Sequence, residues 1–313
     1  MATILLRSPY YETETQAKVG SDIAKSADLS LTITEIGGTT QTISLRKDTT
    51  VDSSDNGTVS FEIAEIARDY IDLTFNDTYT SQLISITGTI IFYNATTSER
   101  NTGTSASTVG ASNTVGPHKG LDGYYEFMQG LGTGSNSAYQ ISTNQILIDQ
   151  NQLFVPDNTA GRIPSWDGSA IVYNSFSTSA TSITIGSTTF VINRVCSKYD
   201  QFKITFVNKY GALQDLYFSG LSRENLNISR EDFKRSIITN QGRYDKQQHS
   251  IKQFNTLANE TITLNTGYVD ESHNEAIKQL LVSEQIFIRK TEGGSEQTIP
   301  VNVQSNTLQF KTG

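Results

Sequence analysis

The stretch Leu29-Ser30-Leu31-Thr32-Ile33-Thr34 alternates apolar and polar side chains without a break. Successive side chains of a β-strand point to opposite faces of its sheet, so this alternation predicts a strand with one buried and one solvated face. Similar short runs recur along the chain, and Ser, Thr, Asn and Gly fill most of the sequence between them. The sequence therefore predicts a mainly β, multi-domain protein built from antiparallel β-sandwich modules with a few short helices.

The 313 residues divide into three β-rich regions and one connecting segment. Residues 1–98 are predicted to form a β-sandwich similar in size to a fibronectin type III or immunoglobulin-like module. Residues 99–117 are rich in Ser, Thr and Gly and contain few apolar side chains, which predicts a flexible linker or loop. Residues 118–192 are predicted to form a β-rich middle region, and residues 193–313 a C-terminal β domain with one capped helix.

Alternation and turn residues also predict where the individual strands and helices lie. The first helix follows Ser60, a predicted N-cap, and the second follows Ser272, which forms a capping-box pattern with Glu275. Leu280 and Leu281 lie on the apolar face of the second helix. The predicted strands are 3–6, 29–36, 42–46, 58–61, 84–94, 145–148, 153–155, 171–176, 182–185, 188–193, 202–208, 214–219, 261–265, 285–289, 298–303 and 307–311.

The net charge of −8 and the isoelectric point of about 5.0 indicate which partners to exclude. Nucleic-acid binding needs a basic surface that displaces phosphate counterions, so we expect no nucleic-acid partner. No apolar run approaches the roughly 20 residues of a membrane-spanning helix, so we expect no membrane partner. At the amino terminus, Arg7 and Pro9 come too early for a secretory signal, and we expect synthesis in the cytosol without processing.

The side chains that most often act in catalysis or metal binding are scarce. The chain has three histidines, His118, His249 and His273, and one cysteine, Cys196. A catalytic metal site generally needs three converging ligands, so we expect neither a metal nor another cofactor. Cys196 lacks a partner for an internal disulfide and is expected to be a small buried apolar group.

Other motifs that could perform chemistry have simpler explanations. Gly130–Gly134 is rich in glycine but lacks the lysine and the following helix of a phosphate-binding loop. Asp52, Asp55 and Asn56 resemble a calcium loop, but the position of the bidentate glutamate is occupied by Ile63. Two acidic pairs lie at predicted helix starts, where negative charge stabilises the helix dipole: Glu62 with Glu65, and Asp270 with Glu271. We predict no catalytic site and expect that the chain is not an enzyme.

Five aromatic residues adjoin Gly, Pro or Asp in predicted loops. They are Tyr10, Tyr11, Tyr124, Tyr125 and Trp166. Exposed Tyr and Trp favour contacts with proteins or sugars, which would indicate a binding surface. The same rings could instead cover the end of a β-sandwich, and the sequence leaves both interpretations open.

Three stretches carry a resemblance to a known class of protein. Ile4–Tyr11, Thr205–Asp215 and Leu264–Tyr268 resemble segments of virion structural proteins of tailed bacteriophages, including those of marine and cyanobacterial phages. The resemblance covers roughly the first and the last hundred residues and brings no functional residue with it. It implies a tail, neck, collar or baseplate component that is located in the virion after synthesis in the host cytoplasm. It also implies assembly as a ring or a fibre anchor, with other virion proteins as partners.

Two other classes of function stay open at this point. The chain could be a receptor- or carbohydrate-binding module of a tail fibre that recognises a host surface glycan through exposed aromatic residues. It could also be a cell-wall hydrolase acting through carboxylates, although the acidic pairs do not favour this.

The hydrophobic fraction of 36% is low, and contacts between subunits would add burial worth roughly 25 cal/mol per Å². We therefore predict a homo-oligomer.

Overall fold

A computed structural model describes residues 2–7, 9–18, 23–34, 39–71, 75–80, 83–94, 119–129, 142–196, 198–238, 241–243, 247–292 and 295–305. Within these ranges the protein is mainly β, with several small sheets and two short helices, as the sequence predicts. The predicted linker at 99–117 and the predicted strand at 307–311 lie outside the described residues.

Two sheets and a short helix share the first hydrophobic core. The alternating stretch that predicts the fold lies in the larger sheet, where Leu29, Leu31 and Ile33 are fully buried against Val59 and Phe61 of the smaller sheet. The larger sheet has the order β1 (Ala2–Arg7), β8 (Lys119–Gln129), β7 (Leu83–Asn94), β3 (Ala24–Thr34) and β4 (Thr40–Asp48). The smaller sheet consists of β2 (Tyr11–Gln16), β6 (Gly57–Glu62) and β5 (Thr50–Val51), and the helix is α1 (Ala64–Arg68).

The larger sheet joins residues from both sides of the 99–117 segment. Strand β1 pairs in parallel with β8, from Ala2 opposite Gly123 to Arg7 opposite Gln129. A parallel pair needs a long connection between its strands, which side-chain alternation does not reveal. The predicted antiparallel arrangement is therefore wrong for this pair, although β8 is antiparallel to β7.

Residues 142–196 surround a second hydrophobic core. It is formed by Leu153, Val155, Ile163, Phe176, Phe190 and Ile192 with their neighbours. The strands are β9 (Gln152–Pro156), β10 (Gly161–Trp166), β11 (Ile171–Phe176), β12 (Ser182–Ile185) and β13 (Thr188–Val195). β9 and β13 form a second parallel pair, while β10 with β11 and β12 with β13 are antiparallel. The predicted strand at 145–148 supplies only an isolated bridge between Ile146 and Ser165.

The C-terminal residues form a four-stranded antiparallel sheet and a separate two-stranded one. The four-stranded sheet has the order β15 (Leu213–Phe218), β14 (Phe202–Val207), β18 (Ile286–Glu292) and β19 (Ser295–Pro300). Helix α2 (His273–Leu281) packs on it through Ala276 and Leu280. The two-stranded sheet consists of β16 (Arg223–Lys234) and β17 (Ile251–Thr263).

The start of helix α2 differs in detail from the predicted capping box. Ser272 occupies the N-cap position, but its hydroxyl makes no capping hydrogen bond. Asp270 takes this role instead, because its Oδ1 accepts from the backbone N–H of Ser272 at 2.9 Å and its carbonyl accepts from His273 N. The bond from the backbone N–H of Ser272 lowers the pKa of Asp270. Leu281, predicted to be buried, is only half-buried.

The start of helix α1 also differs from the prediction. Its N-cap is Ile63, whereas Ser60 lies in β6, where its hydroxyl is 2.7 Å from that of Thr13. Glu62 supplies the capping contact, since its Oε2 accepts from the backbone N–H of Glu65 at 2.8 Å. Glu62 therefore has the helix-start role that the sequence predicts for the first acidic pair.

Candidate functional site

Strands β16 and β17 form a long ribbon that we call the β-arm. All residues of β16 and the first ten of β17 are exposed on both faces. The two strands pair with each other from Arg223 opposite Thr263 to Lys234 opposite Ile251 and with no other described strand. At about 3.3 Å per residue, the ribbon is about 40 Å long.

The base of the β-arm is firmly attached to the C-terminal sheet. Gly220 N donates to Asn265 O at 2.8 Å, and a Cβ on Gly220 would lie 2.8 Å from Asn265 Cγ, so only glycine allows this approach. Lys290 Nζ of β18 lies 3.0 Å from Glu260 Oε1 and 3.6 Å from Glu224 Oε1. The bond to Glu260 and the charges of both carboxylates raise the pKa of Lys290. The arm therefore extends from a fixed root.

Six exposed apolar side chains of the β-arm form two patches on opposite faces, and a seventh, Ile251, lies opposite Lys234 at the tip, outside both patches. Because side chains alternate along a strand, Leu226 and Ile228 share one face, and Ala258 lies directly opposite Ile228. Nearer the tip, Leu257 lies opposite Ser229 on the other face. We call Leu226, Ile228 and Ala258 the proximal patch, and Phe233, Phe254 and Leu257 the distal patch.

A β-bulge assembles the distal patch. The register shifts between Glu231 and Asp232, whose partners are Asn255 and Gln253, so Phe254 is the extra residue. The bulge changes the face on which Phe254 lies and brings its ring centroid within 6.1 Å of that of Phe233. Phe254 nevertheless remains 63% exposed and Leu257 56% exposed.

An isolated two-stranded ribbon with exposed apolar side chains is unfavourable in water. A single two-stranded hairpin is at best marginally stable by itself, and contiguous exposed apolar side chains usually mark an interaction site. Leu226 and Ile251, both more than half exposed, are stabilised only in small part by burial within their own subunit. The β-arm is therefore the strongest candidate for a binding surface.

A second candidate is a polar cluster where residues 75–80 meet the C-terminal sheet. Tyr79 Oη donates to Asp215 Oδ1 at 2.6 Å, and Thr205 Oγ1 donates to the same oxygen at 2.6 Å. Lys203 Nζ donates to Asp77 Oδ1 at 2.6 Å and to Tyr79 Oη at 3.0 Å. A cavity of about 710 Å³ opens beside this cluster.

The contacts of this cluster indicate that it holds two parts of the chain together and does not act in catalysis. Burial raises the pKa of Asp215, a shift that is common among catalytic carboxyl groups. However, Asp215 is only 8% exposed, and Tyr79 donates to both of its oxygens. Phe75 is buried beside Val207 and Leu213. The cluster thus fastens the 75–80 segment to β14 and β15.

The structure separates the five aromatic residues that the sequence singles out. Trp166 is 1% exposed and lies in a core cluster, so of the two interpretations that the sequence leaves open, packing within the protein applies to this ring. Tyr10 is half-buried, and Tyr11 is 49% exposed in β2. Tyr124 and Tyr125 lie in β8, within a sheet and not in a loop, and their side chains are outside the description. Of these five residues, the three whose side chains are described, Tyr10, Tyr11 and Trp166, do not form one exposed surface.

The histidines, the cysteine and the acidic residues also lie apart. Cys196 is exposed, so its predicted burial is wrong: it lies just beyond the end of β13. His249 is exposed, and His273 is buried against the Phe154 ring at 4.9 Å between centroids. His118 and the Gly130–Gly134 motif lie outside the described residues. Among the residues that are described, no group of three His, Cys, Asp or Glu could hold a metal ion.

The acidic turn at 52–56 closes on itself. Asp52 Oδ1 accepts from the backbone N–H groups of Ser54 and Asn56, at 2.8 and 2.9 Å. These bonds lower the pKa of Asp52, led by the bond from Asn56. Asp55 adopts a φ of 64°, and its carboxylate pairs with Lys18. The motif is therefore a turn between β5 and β6.

We expect the buried His273 to make stability depend on pH. Burial lowers the pKa of His273 below its ordinary 6.5, so the unfolded chain takes up a proton at a higher pH than the folded chain. The free energy of unfolding should therefore fall as the pH drops below about 6.5. Denaturant titrations between about pH 5 and pH 8 should show a smaller decrease for His273→Leu than for the unaltered chain. The exposed control His249→Gln should keep the full decrease, and equal slopes for all three proteins would contradict this assignment.

Within the described ranges, neither helix combines the length and apolar character needed to cross a membrane. No protein-family model matches the chain, and comparison with curated proteins finds no significant similarity.

Proposed function

We propose that the chain is a structural component of a tailed-phage virion, in the tail, neck, collar or baseplate, that acts through protein–protein assembly. It is a ring or fibre-anchoring subunit, is not an enzyme, and reaches the virion after synthesis in the host cytoplasm. The observation that carries the proposal is the β-arm, whose apolar patches are exposed in the isolated chain. The resemblance of the first and last hundred residues to virion proteins supports a virion as the particle in which the chain assembles.

The burial of Trp166 disfavours the alternative of a glycan-binding module. A sugar platform needs exposed rings, and Trp166 is enclosed in a core while Tyr11 is only half exposed. The polar cluster likewise gives little support to a cell-wall hydrolase, because its charges neutralise one another. Lys203 pairs with Asp77, and Arg289 pairs with Asp77 and Glu296. Assembly is therefore the function that the described residues favour.

Purified particles of the phage that encodes the chain provide the direct test. Quantitative mass spectrometry should find the chain in many copies per virion, and antibody labelling should locate it on the tail, neck or baseplate in electron micrographs. A soluble enzyme encoded by the same phage serves as the control for contamination. Absence of the chain from washed virions, when infected cells contain it in abundance, would overturn the proposal.

A further inference from the structure

We propose that the β-arms of neighbouring copies of this chain stack face to face, with the distal patch of one arm covering the proximal patch of the next. This inference rests on the proposed function and names its partner, a second copy of the same chain. It also assigns the contact to six residues, Leu226, Ile228, Ala258, Phe233, Phe254 and Leu257, which are all exposed.

The placement of the patches determines the symmetry of the contact. They lie on opposite faces, and Ile228 and Phe233 are five positions apart, which is about 17 Å along a strand. An arm that pairs with a symmetry-related arm through one patch leaves the other patch in water. Pairing distal with proximal covers both, and each arm then contacts two neighbours. Such a heterologous contact closes into a ring when the rotation permits and otherwise forms a filament.

The charge of the β-arm favours another copy of the arm as the partner. β16 and β17 contain four basic residues and four acidic ones, so the ribbon is neutral in a chain of net charge −8. Two whole subunits repel each other, and this repulsion is weakest where neutral segments meet. A partner with a strong charge of one sign would not be attracted electrostatically to this neutral ribbon. The charged residues are Arg223, Arg230, Lys234, Lys252, Glu224, Glu231, Asp232 and Glu260.

The area of the β-arm agrees with one contact on each face. A ribbon about 40 Å long and about 10 Å wide presents about 400 Å² per face. One stacked contact therefore buries about 800 Å² over both partners, below the usual range for a stable interface. A subunit with both faces covered buries about 800 Å² of its own surface, the usual share of one partner. Isolated pairs should thus be weak and closed assemblies much more stable.

Sedimentation velocity of the full chain and two double variants tests the stacking. The proximal variant carries Leu226→Ser and Ile228→Ser, and the distal variant carries Phe233→Ser and Phe254→Ser. The unaltered chain should assemble as its concentration rises, and each variant alone should remain a monomer at the same concentrations. In an equimolar mixture, the proximal variant supplies an intact distal patch and the distal variant supplies an intact proximal patch. At concentrations above those at which the unaltered chain assembles, the mixture should therefore form a 1:1 heterodimer and nothing larger.

A matched control carries Val191→Ser and Val282→Ser, which replace two exposed apolar residues outside the arm. It should assemble like the unaltered chain, and circular dichroism should show the same fold in every protein. Self-association of either variant alone would overturn the proposal, since it would indicate symmetric or edge-to-edge pairing. Because one contact alone is weak, the mixture is compared at higher concentration: a mixture that stays monomeric far above the concentrations at which the unaltered chain assembles would also overturn the proposal, as would an unaltered chain that never assembles. None of these results bears on whether virions contain the chain, which tests the proposed function separately.

Discussion

Replacing Trp166 by alanine is expected to lower the free energy of unfolding by about 3–5 kcal/mol. The indole is 1% exposed and packs with Leu147, Ile171 and Ala212. Its removal loses the largest buried side chain of this cluster and leaves a cavity that the surrounding strands fill only in part. Urea titration monitored by circular dichroism measures the loss.

The control for this prediction is Tyr11→Ala. Tyr11 is 49% exposed, and its replacement should change the free energy of unfolding by no more than about 0.5 kcal/mol. The comparison also tests the glycan alternative. A Trp166→Ala protein with unchanged stability and lost affinity for a host polysaccharide would show that the indole is a binding platform, contrary to its position in the core.

Replacing Leu280 by alanine should cost about 2–5 kcal/mol. Leu280 is 7% exposed and belongs to the core that joins α2 to the four-stranded sheet, with Phe206, Leu216 and Ile288. The substitution removes the larger of the two buried apolar side chains, Ala276 and Leu280, through which the helix packs on the sheet. Thermal unfolding should show a clear decrease in Tm.

Val282→Ala is the matched control, because Val282 follows the same helix and is 76% exposed. We expect a change of no more than about 0.5 kcal/mol for this variant. Equal unfolding temperatures for Leu280→Ala and the unaltered chain would mean that the helix does not depend on this contact, and that its apolar face has another role.

Strands with one buried face could be predicted well from the sequence. The predicted strands 171–176 and 182–185 coincide with β11 and β12, and in β12 apolar and polar residues alternate as burial requires. Strand β16 was not predicted, since both of its faces are in water and only Leu226, Ile228 and Phe233 interrupt a polar run. The same absence of burial that hides the β-arm in the sequence makes it the candidate binding surface.

Contacts between distant parts of the chain could not be predicted. The bonds from Tyr79 to Asp215 join residues that are 136 positions apart, and no sequence pattern links the two. The face on which Phe254 lies depends on the β-bulge. Alternation alone would place its side chain on the opposite face. Conversely, the exposure of Cys196 shows that residue type alone is weak evidence for burial.

The parallel pairing of β1 with β8 has a consequence for biosynthesis. Ala2 lies beside Gly123 in the finished sheet, so the ribosome must add more than a hundred residues before the partner of β1 exists. At about 5–20 residues per second, β1 waits for roughly 6–24 seconds, with Leu6 outside the core that finally buries it. Contacts of such large sequence separation form slowly, and the interval exposes a strand edge to aggregation. Strand β1 is thus synthesised well before β8 but completes its pairing only with it, and a chaperone has this whole interval in which to bind β1.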